Sequence, residues 1–433
     1  MTLKKTNLGE LASNIVNNIA TKEKKSIRCQ ECDHLVTLPL ALKRGEDAYC
    51  PRCQAKLASY RYWSLTRLLI LSITMLILAS IAFTQPLIKI HLLGTMITAN
   101  VLDGIRMMSE QGSPLTATMV AFCAIAAPLS LPIAILYLHL GSRLRLNLRP
   151  VLLMLGKLKE WVMLDVYLIG LGVATIKLGD YATVYIGNGL IAFVSLMILS
   201  LLMLININMD QLWQRFYPQK EIEKSPATCH ACHYHFKKTP STHCPRCKSC
   251  YTPRQPMSLQ KTWAALISAI ILLIPANLLP ISIFYLNGRR SEDTIFSGVL
   301  SLVNSGNTPI AIIVFIASVF VPFFKIIIML GLLLSIHFNS RIDPLIRMKL
   351  YRFVSWIGRW SMLDLFVIGL MMSLINRDQL MTFTMGPAAF YFGTAVILTI
   401  LAVEWLDSRL LWDTYATRRK RRSGHTSPNT PQT

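Results

Sequence analysis

A pair of C-x-x-C knuckles, a series of long apolar stretches and the motif W-x-M-L-D occur twice along this chain, in the same order. Cys29, Cys32, Cys50 and Cys53 precede Trp161-Val-Met-Leu-Asp165, and Cys229, Cys232, Cys244 and Cys247 precede Trp360-Ser-Met-Leu-Asp364. Much of the register is fixed: Cys50, Pro86, Gly94, Gly104, Gly112 and Pro128 stand 194 positions before Cys244, Pro280, Gly288, Gly298, Gly306 and Pro322. Scattered cysteines coincide by chance, but a shared offset across six landmarks does not. The fold is therefore restricted to two tandem modules, each a metal knuckle followed by apolar spans. Function is then expected where the two copies differ.

The 433 residues are 53% hydrophobic and 15% charged, which leaves too little polar surface for a soluble globule of this size. Four apolar runs per half are long enough for a hydrocarbon core of about 30 Å, which takes roughly 20 helical residues. They fall near Leu65 to Phe83, Pro114 to Leu138, Trp161 to Leu178 and Val184 to Ile205, then Trp263 to Tyr285, Thr308 to Ile336, Trp360 to Ile375 and Ala388 to Leu406. The runs are continuously apolar rather than alternating, so helices are expected and a barrel is not. The expected fold is an all-α polytopic membrane protein with two modules, each a small cytoplasmic zinc ribbon plus a four-helix transmembrane bundle. The expected divisions are a polar N-terminal segment (1–25), ribbon 1 (26–60), bundle 1 (61–210), ribbon 2 (211–255), bundle 2 (256–412) and a basic disordered tail (413–433).

A net charge of +22 is compatible with nucleic-acid binding, but the cations sit in alternate loops. Arg143, Arg145, Arg149, Lys157 and Lys159 lie between the second and third runs, and Arg341, Arg347, Lys349, Arg352 and Arg359 occupy the matching loop of the second half. The positive-inside rule assigns those loops to the cytoplasm. With four spans per half, both ribbons and both termini fall on that side, and the repeats run parallel. The charge then reports topology and contact with anionic lipid, and no nucleic-acid partner is expected. Residues 1–25 lack the apolar segment of a signal peptide, so the first span is expected to direct insertion. The Arg418 to Arg422 run and the polar tail after it read as a disordered anchor of topology.

In each half the two cysteine pairs are separated by a short segment, 17 residues in the first and 11 in the second. That is zinc-ribbon spacing. Two residues between cysteines let both thiolates converge on one ion from a tight turn, and Pro51 and Pro245 favour such a turn. Four sulfurs close the shell of the ion, so Zn2+ at two structural sites is expected, replacing the core that a domain of roughly 25 to 30 residues cannot bury. Iron suits the same donors. Thiol exchange is disfavoured on a reducing cytoplasmic side. Cys250 and the histidines at positions 230, 233, 235 and 243 crowd the second ribbon, where Cys247 is the better fourth ligand by spacing. Cys123 reads as a small apolar residue inside a span.

Ionisable residues within spans cost several kcal/mol and mark functional sites by default. Lys325 stands about midway along the sixth run, too deep to reach either interface. Ser318, seven residues earlier, shares its helical face, and Asp364 stands one turn into the seventh run with Ser361 three residues before it. A Lys325–Asp364 pair would offset much of the burial cost, and Thr399 in the eighth run can join them. In the first half Asp165 matches Asp364, but Leu131, Ala124 and Val162 stand where Lys325, Ser318 and Ser361 do. A cluster needed only to hold four helices together would be present twice. Two readings follow: an active polar site in the C-terminal bundle with the N-terminal bundle as scaffold, or a static ion pair. Asp165 and Asp364 also satisfy orphan amides in a first helical turn. Pro128, Pro132, Pro275, Pro280 and Pro322 kink spans, and Trp161 and Trp360 read as interfacial anchors. No Walker loop, dinucleotide glycine fingerprint or H-E-x-x-H helix is present, so ATP hydrolysis and membrane proteolysis have no support and any work draws on an ion gradient or a partner.

Pro275-Ala-Asn-Leu-Leu-Pro-Ile281, Glu292-Asp-Thr-Ile-Phe-Ser-Gly-Val299, Val321-Pro-Phe-Phe-Lys325, Gly358-Arg-Trp-Ser-Met-Leu-Asp364 and Leu406-Asp-Ser-Arg-Leu-Leu-Trp-Asp413 resemble the signature blocks of the paraquat-inducible protein A family. The resemblance covers nearly the whole chain and is most specific in the second half. It implies an inner-membrane protein of a Gram-negative bacterium with tetraspanin-like bundles. Such a protein works with a periplasmic MCE-domain tunnel protein to move phospholipids between two membranes. The polar site it implies falls on Ser318, Lys325, Ser361, Asp364 and Thr399. The leading expectation is a lipid transporter, not an enzyme, with ion coupling through that site. The alternative is a zinc-ribbon adaptor or stress sensor, which would depend on the ribbons and tolerate loss of Lys325 and Asp364. An enzyme acting on lipid headgroups is disfavoured because no span end carries paired acids or histidines beside a metal motif.

Overall fold

A computed structural model describes residues 24–39, 46–59, 63–92, 95–110, 114–179, 183–218, 227–236, 243–252, 254–286, 289–304, 306, 308–338, 342–375 and 381–413. The N-terminal segment before Lys24, the basic run at 418–422, Gly94, Gly112, Gly288 and Arg341 lie outside the described residues, as do the side chains of Arg359 and Asp364. The chain forms two compact units. The smaller contains ribbon 1 together with the segment from Ser408, and the larger runs from Trp63 to Asp407.

In the smaller unit the ribbon consists of two hairpins, β1 (Lys24–Arg28) with β2 (Leu35–Pro39) and β3 (Asp47–Tyr49) with β4 (Lys56–Ser59). Each hairpin turn is a C-x-x-C knuckle. The carbonyls of Cys29 and Cys50 accept from the amides of Asp33 and Gln54, both at 2.9 Å. Asp33 and Gln54 take φ of 58° and 59°, a left-handed conformation that lets the chain reverse immediately after the second cysteine.

The larger unit displays the repeat as geometry. Its first half contains α1 (Leu65–Thr84), β5 (Ile88–Leu92), β6 (Thr95–Ala99), α2 (Val101–Glu110), α3 (Pro114–Arg143), α4 (Arg149–Leu158), α5 (Leu164–Gly179), β7 (Thr183–Ile186) and α6 (Asn188–Asn206). A short helix α7 (Met209–Phe216) leads to ribbon 2, with strands β8 (Ala227–Thr228) and β9 (His235–Phe236). The second half repeats the series as α8 (Ser258–Leu278), β10 (Ser282–Leu286), β11 (Arg289–Asp293), α9 (Ile295–Asn304), α10 (Thr308–His337), α11 (Pro344–Ile357), α12 (Leu363–Ile375), β12 (Met381–Met385) and α13 (Pro387–Trp405). Strands β5 and β10 begin 194 positions apart, as do α2 and α9, while α6 and α13 begin and end 199 apart. The five extra residues lie in the basic loop, where α4 has 10 residues and α11 has 14.

Seven helices among the described residues are long and apolar enough to cross a membrane, in keeping with a mostly helical, multi-pass membrane protein. Eight apolar runs are expected from the residues alone, and the one that falls short is α5, since α11 and α12 together make one of the seven, Pro344–Met371. Helix α5 has 16 residues, about 24 Å, short of a straight crossing. Its far end is nevertheless carried to the end of the bundle opposite α4, because β7 follows it and pairs with β5, which follows α1. Two apolar runs also proved to be composite. The run Trp263 to Tyr285 is helix only to Leu278 and then enters strand β10, and Val184 to Ile205 starts in strand β7. Strand orders β6-β5-β7 and β11-β10-β12 give each half one three-stranded antiparallel sheet.

These sheets fix the start of the last helix in each bundle. The amides of Gly187 and Gly386 donate to the carbonyls of Leu87 and Ile281 at 3.0 and 2.9 Å, and a Cβ on either glycine would overlap the carbonyl of Pro86 or Pro280. Only glycine permits that approach. The third helices of the two bundles pack on each other, with Tyr167 and Phe366 at 5.3 Å between ring centroids, and Phe366 beside Gly170.

Both long helices contain a π turn at the same place, Phe122–Ala126 in α3 and Ile316–Phe320 in α10. Pro128 and Pro322 explain them. Proline withholds an N–H from the helical ladder, and the turn before it widens so that the amides of Ala127 and Val321 reach back five residues to Phe122 and Ile316.

Candidate functional site

Two kinds of site stand out, and the first is present in both halves. The four sulfurs of Cys29, Cys32, Cys50 and Cys53 lie within 4.8 Å of one another, as do those of Cys229, Cys232, Cys244 and Cys247, and all eight cysteines are buried. Cross-knuckle distances are 3.4 Å for Cys29–Cys53 and 3.6 Å for Cys32–Cys50, Cys229–Cys247 and Cys232–Cys244. Four thiolates about 2.3 Å from a tetrahedral ion stand roughly 3.8 Å apart, so both clusters fit one metal each with no position left open. Ribbon 2 uses the same knuckle as ribbon 1: His233 and Lys248 have φ of 53° and 62° and donate their amides to Cys229 and Cys244. Crowding splits the thiols of each cluster into some that ionise readily and some that hold their proton. Cys29 is held far below the thiol range because Cys32 and then Cys53 bond to its sulfur, while Cys32 is pushed up by the same bond. Cys250 is exposed and stands outside the cluster, in which Cys247 is the fourth sulfur. Cys123 is buried with its thiol 3.8 Å from the sulfur of Met362.

The second site is in one half only. Lys325 is 1% exposed, and its Nζ donates to Oγ1 of Thr399 at 3.0 Å. Thr399 in turn donates to the carbonyl of Val396, which aims its lone pairs at the amine. Above the amine lies Gly358, where a Cβ would stand 3.0 Å from Nζ. Gly358 opens a 3-10 turn, Gly358–Met362, that also contains Ser361. The Ser361 hydroxyl is buried with no hydrogen-bond partner among the described residues. Ser318 lies in the π turn, lining a cavity of about 60 Å³ whose walls include Ser282, Asp293 and Thr294 from the sheet, Val367 and Met371 from α12 and Val173 from α5. The backbone of Asp364 starts α12, and Asp165, half-buried, holds the same place in α5.

Of the residues singled out from the sequence, Lys325 and Thr399 are thus joined directly, Ser361 lies in the turn over the amine, and Ser318 stands apart at the cavity. Gly358 was overlooked. Its signal was a paired exchange: where the second half has Lys325 and Gly358, the first has Leu131 and Lys159. A long side chain was moved from the turn to the helix. The first half fills the space with carbon, since Leu131, Ala124 and Val162 are all buried, and Ser200, in the place of Thr399, bonds to the carbonyl of Met197 in its own helix.

This chain resembles known proteins along most of its length. It is 57% identical over 391 residues to the Lipophilic envelope-spanning tunnel protein A of Escherichia coli (strain K12), which covers 90% of this chain and 91% of that protein. It is 44% identical over 401 residues to a Probable intermembrane transport protein of Haemophilus influenzae, covering 90% and 96%. The Intermembrane transport protein PqiA of Escherichia coli is 30% identical over 408 residues, with the same two coverages. No solved structure gives a significant match. The family described as Paraquat-inducible protein A matches residues 65–217 and 259–416, one bundle and its exit segment in each half, and the chain belongs to that family.

Proposed function

We propose that this protein is the inner-membrane subunit of a lipid transport system. It works with a periplasmic MCE-domain tunnel protein to move phospholipids between the inner and outer membranes, with ion coupling through the polar site of the second bundle. The observation that carries this reading is the Lys325–Thr399 pair under Gly358, an ionisable amine buried in an apolar bundle whose twin bundle packs without it. Support for the transport class comes from relatives named for an envelope-spanning tunnel and for intermembrane transport. On this reading the sheet ends of the bundles face the periplasm, and the ribbons and both termini the cytoplasm. The ribbons hold Zn2+, which closes each knuckle pair and supplies folding energy rather than chemistry.

Chemically, Lys325 offers three donors, and Thr399 accepts one of them. Ser361, with a buried hydroxyl and no partner among the described residues, is a ready acceptor for another when the turn moves. Asp364 begins the helix that follows that turn and supplies the acid to which a proton is passed. Ser318 leads from the cavity at the sheet end toward Lys325, two turns further along α10.

Complementation tests the reading in cells that lack the native gene and are sensitised to lipid-transport defects. Lys325→Met and Asp364→Asn are expected to lose function at normal membrane abundance. Full function in both variants would leave the cluster a packing feature and move the search to the ribbons.

A further inference from the structure

The second knuckle of each ribbon encloses proline and arginine, Cys50-Pro-Arg-Cys53 and Cys244-Pro-Arg-Cys247, so Arg52 and Arg246 are equivalent. In the smaller unit the Arg52 guanidinium lies over the ring of Trp412, 4.4 Å from its centroid, and donates to the carbonyl of Cys32 at 3.2 Å. In the larger unit Arg246 lies 5.4 Å from the centroid of Trp213 and 5.6 Å from that of Tyr234. Its Nε and Nη2 have no hydrogen-bond partner among the described residues, so the ring faces are what compensate its burial. Trp213 and Trp412 are equivalent too. Each is buried and stands seven residues beyond the last residue of the final helix in its half, Asn206 or Trp405.

The pairing is therefore crossed along the chain. Ribbon 2 sets its stack on the segment leaving the first bundle, which directly precedes it, and meets the start of the second exit through His230, 3.4 Å from Asp407, whereas ribbon 1 sets its stack on the segment leaving the second bundle, at the far end of the sequence. Around the shared stack the charges are reversed. At the exit of the first bundle Asp210 sits 3.2 Å from Nδ1 of His233, the residue after Cys232. Burial pushes the Asp210 carboxyl up, but the bond from His233 and the charge of Arg246 hold it below the usual carboxylate range. At the exit of the second bundle Arg409 takes the place of Asp210, and Asp33 that of His233. Arg409 Nε donates to the carbonyl of Gln30 at 3.0 Å and Ser408 to that of Glu31 at 3.4 Å, both between Cys29 and Cys32.

We propose that each ribbon is a metal-dependent clasp for one exit segment of this same chain, held by the Arg–Trp stack, with the reversed charges deciding which tryptophan each arginine takes. An acid on the first exit faces an imidazole and an arginine, and a base on the second exit faces a ribbon that has an acid at the matching position. Exchange would set Arg409 against His233 and Asp210 against Asp33, while the arginine of the stack is common to both ribbons. The metal enters because the carbonyls that Ser408 and Arg409 read are spaced by the Cys29–Cys32 turn, which an ion fixes.

The test uses full-length protein in lipid nanodiscs with zinc in both ribbons, following zinc release to an excess of chelating dye. A Cys29→Ser/Cys32→Ser variant identifies which release phase belongs to which ribbon. Arg52→Ala and Trp412→Ala are each expected to speed loss of the ribbon 1 ion on the order of tenfold, with the double variant no faster than either. Trp213→Ala should act on the ribbon 2 ion alone. Arg409→Asp should also speed ribbon 1 release, and adding Asp33→His should restore it. If Trp412→Ala fails to accumulate, Trp412→Phe keeps a ring and should stay slow, while Trp412→Leu should release fast. Effects of Arg52 and Trp412 on different ions, independent multiplication of their effects, equal behaviour of the Phe and Leu variants, or failure of Asp33→His to restore slow release would each overturn the proposal.

Discussion

The two bundles have one backbone and two interiors. Strands, π turns and final helices recur at fixed offsets, yet the position occupied by Leu131 in one is Lys325 in the other. The first bundle demonstrates that this fold closes with a carbon core at that level. The amine of the second is then not a requirement of packing, and its desolvation is a cost the other half avoids. The two ribbons teach the converse, because there both copies keep all four sulfurs.

That contrast can be broken in four places. The largest effect is expected from the shared feature: Cys244→Ser with Cys247→Ser should halve the bound metal, measured by elemental analysis of purified protein, and unfold ribbon 2, since structural zinc contributes about 10 to 16 kcal/mol in small domains. Metal content unchanged at two ions per chain would remove these cysteines as ligands. Next is Leu131→Lys, which puts an amine into the carbon interior beside Lys159 in place of a glycine. A loss of about 3 to 5 kcal/mol is expected from an unpaired buried charge, read as a lower thermal midpoint in detergent. Lys159→Gly in the same chain should recover part of it, and a stable single variant would mean the two interiors are interchangeable. Gly358→Leu, smaller again, forces a side chain onto the Lys325 amine and should cost about 1 to 3 kcal/mol with loss of complementation. The smallest change is Ser361→Val, which installs the residue of the first bundle. Removing a buried hydroxyl without a partner should leave stability unchanged or raise it by about 1 kcal/mol. Function should fall all the same, and a fully active Ser361→Val protein would take Ser361 out of the site.

How much of this could be read from residues alone follows from how local each signal is. The metal clusters were legible because a C-x-x-C turn sets its own geometry, and the module plan was legible because apolar length reports a span. The two sheets were not. Ser282 to Leu286 and Thr183 to Ile186 merge with neighbouring apolar helices, and no periodicity separates a short apolar strand from a helix end. The resulting overestimate of helical runs also hid how short α5 is. Within the site, Lys325 announced itself by charge and depth, whereas Gly358 matters through what it lacks, and an absence is visible only against the lysine in the other copy. Trp213 and Trp412 were likewise passed over, because each looks like an ordinary interfacial aromatic until its arginine is placed above it.

The π turns have one further consequence. Pro128 and Pro322 each leave the turn before them short of one amide, so a carbonyl in the middle of a hydrophobic helix has no donor within the ladder. In the first bundle the turn itself is built of apolar residues, with Cys123 and Ala124 buried. In the second, the same oxygen-rich turn includes Ser318 and borders the cavity beneath the sheet. Backbone and hydroxyl together set polar oxygens beside a cavity in an otherwise oily column, at a level prepared by a proline that both halves share.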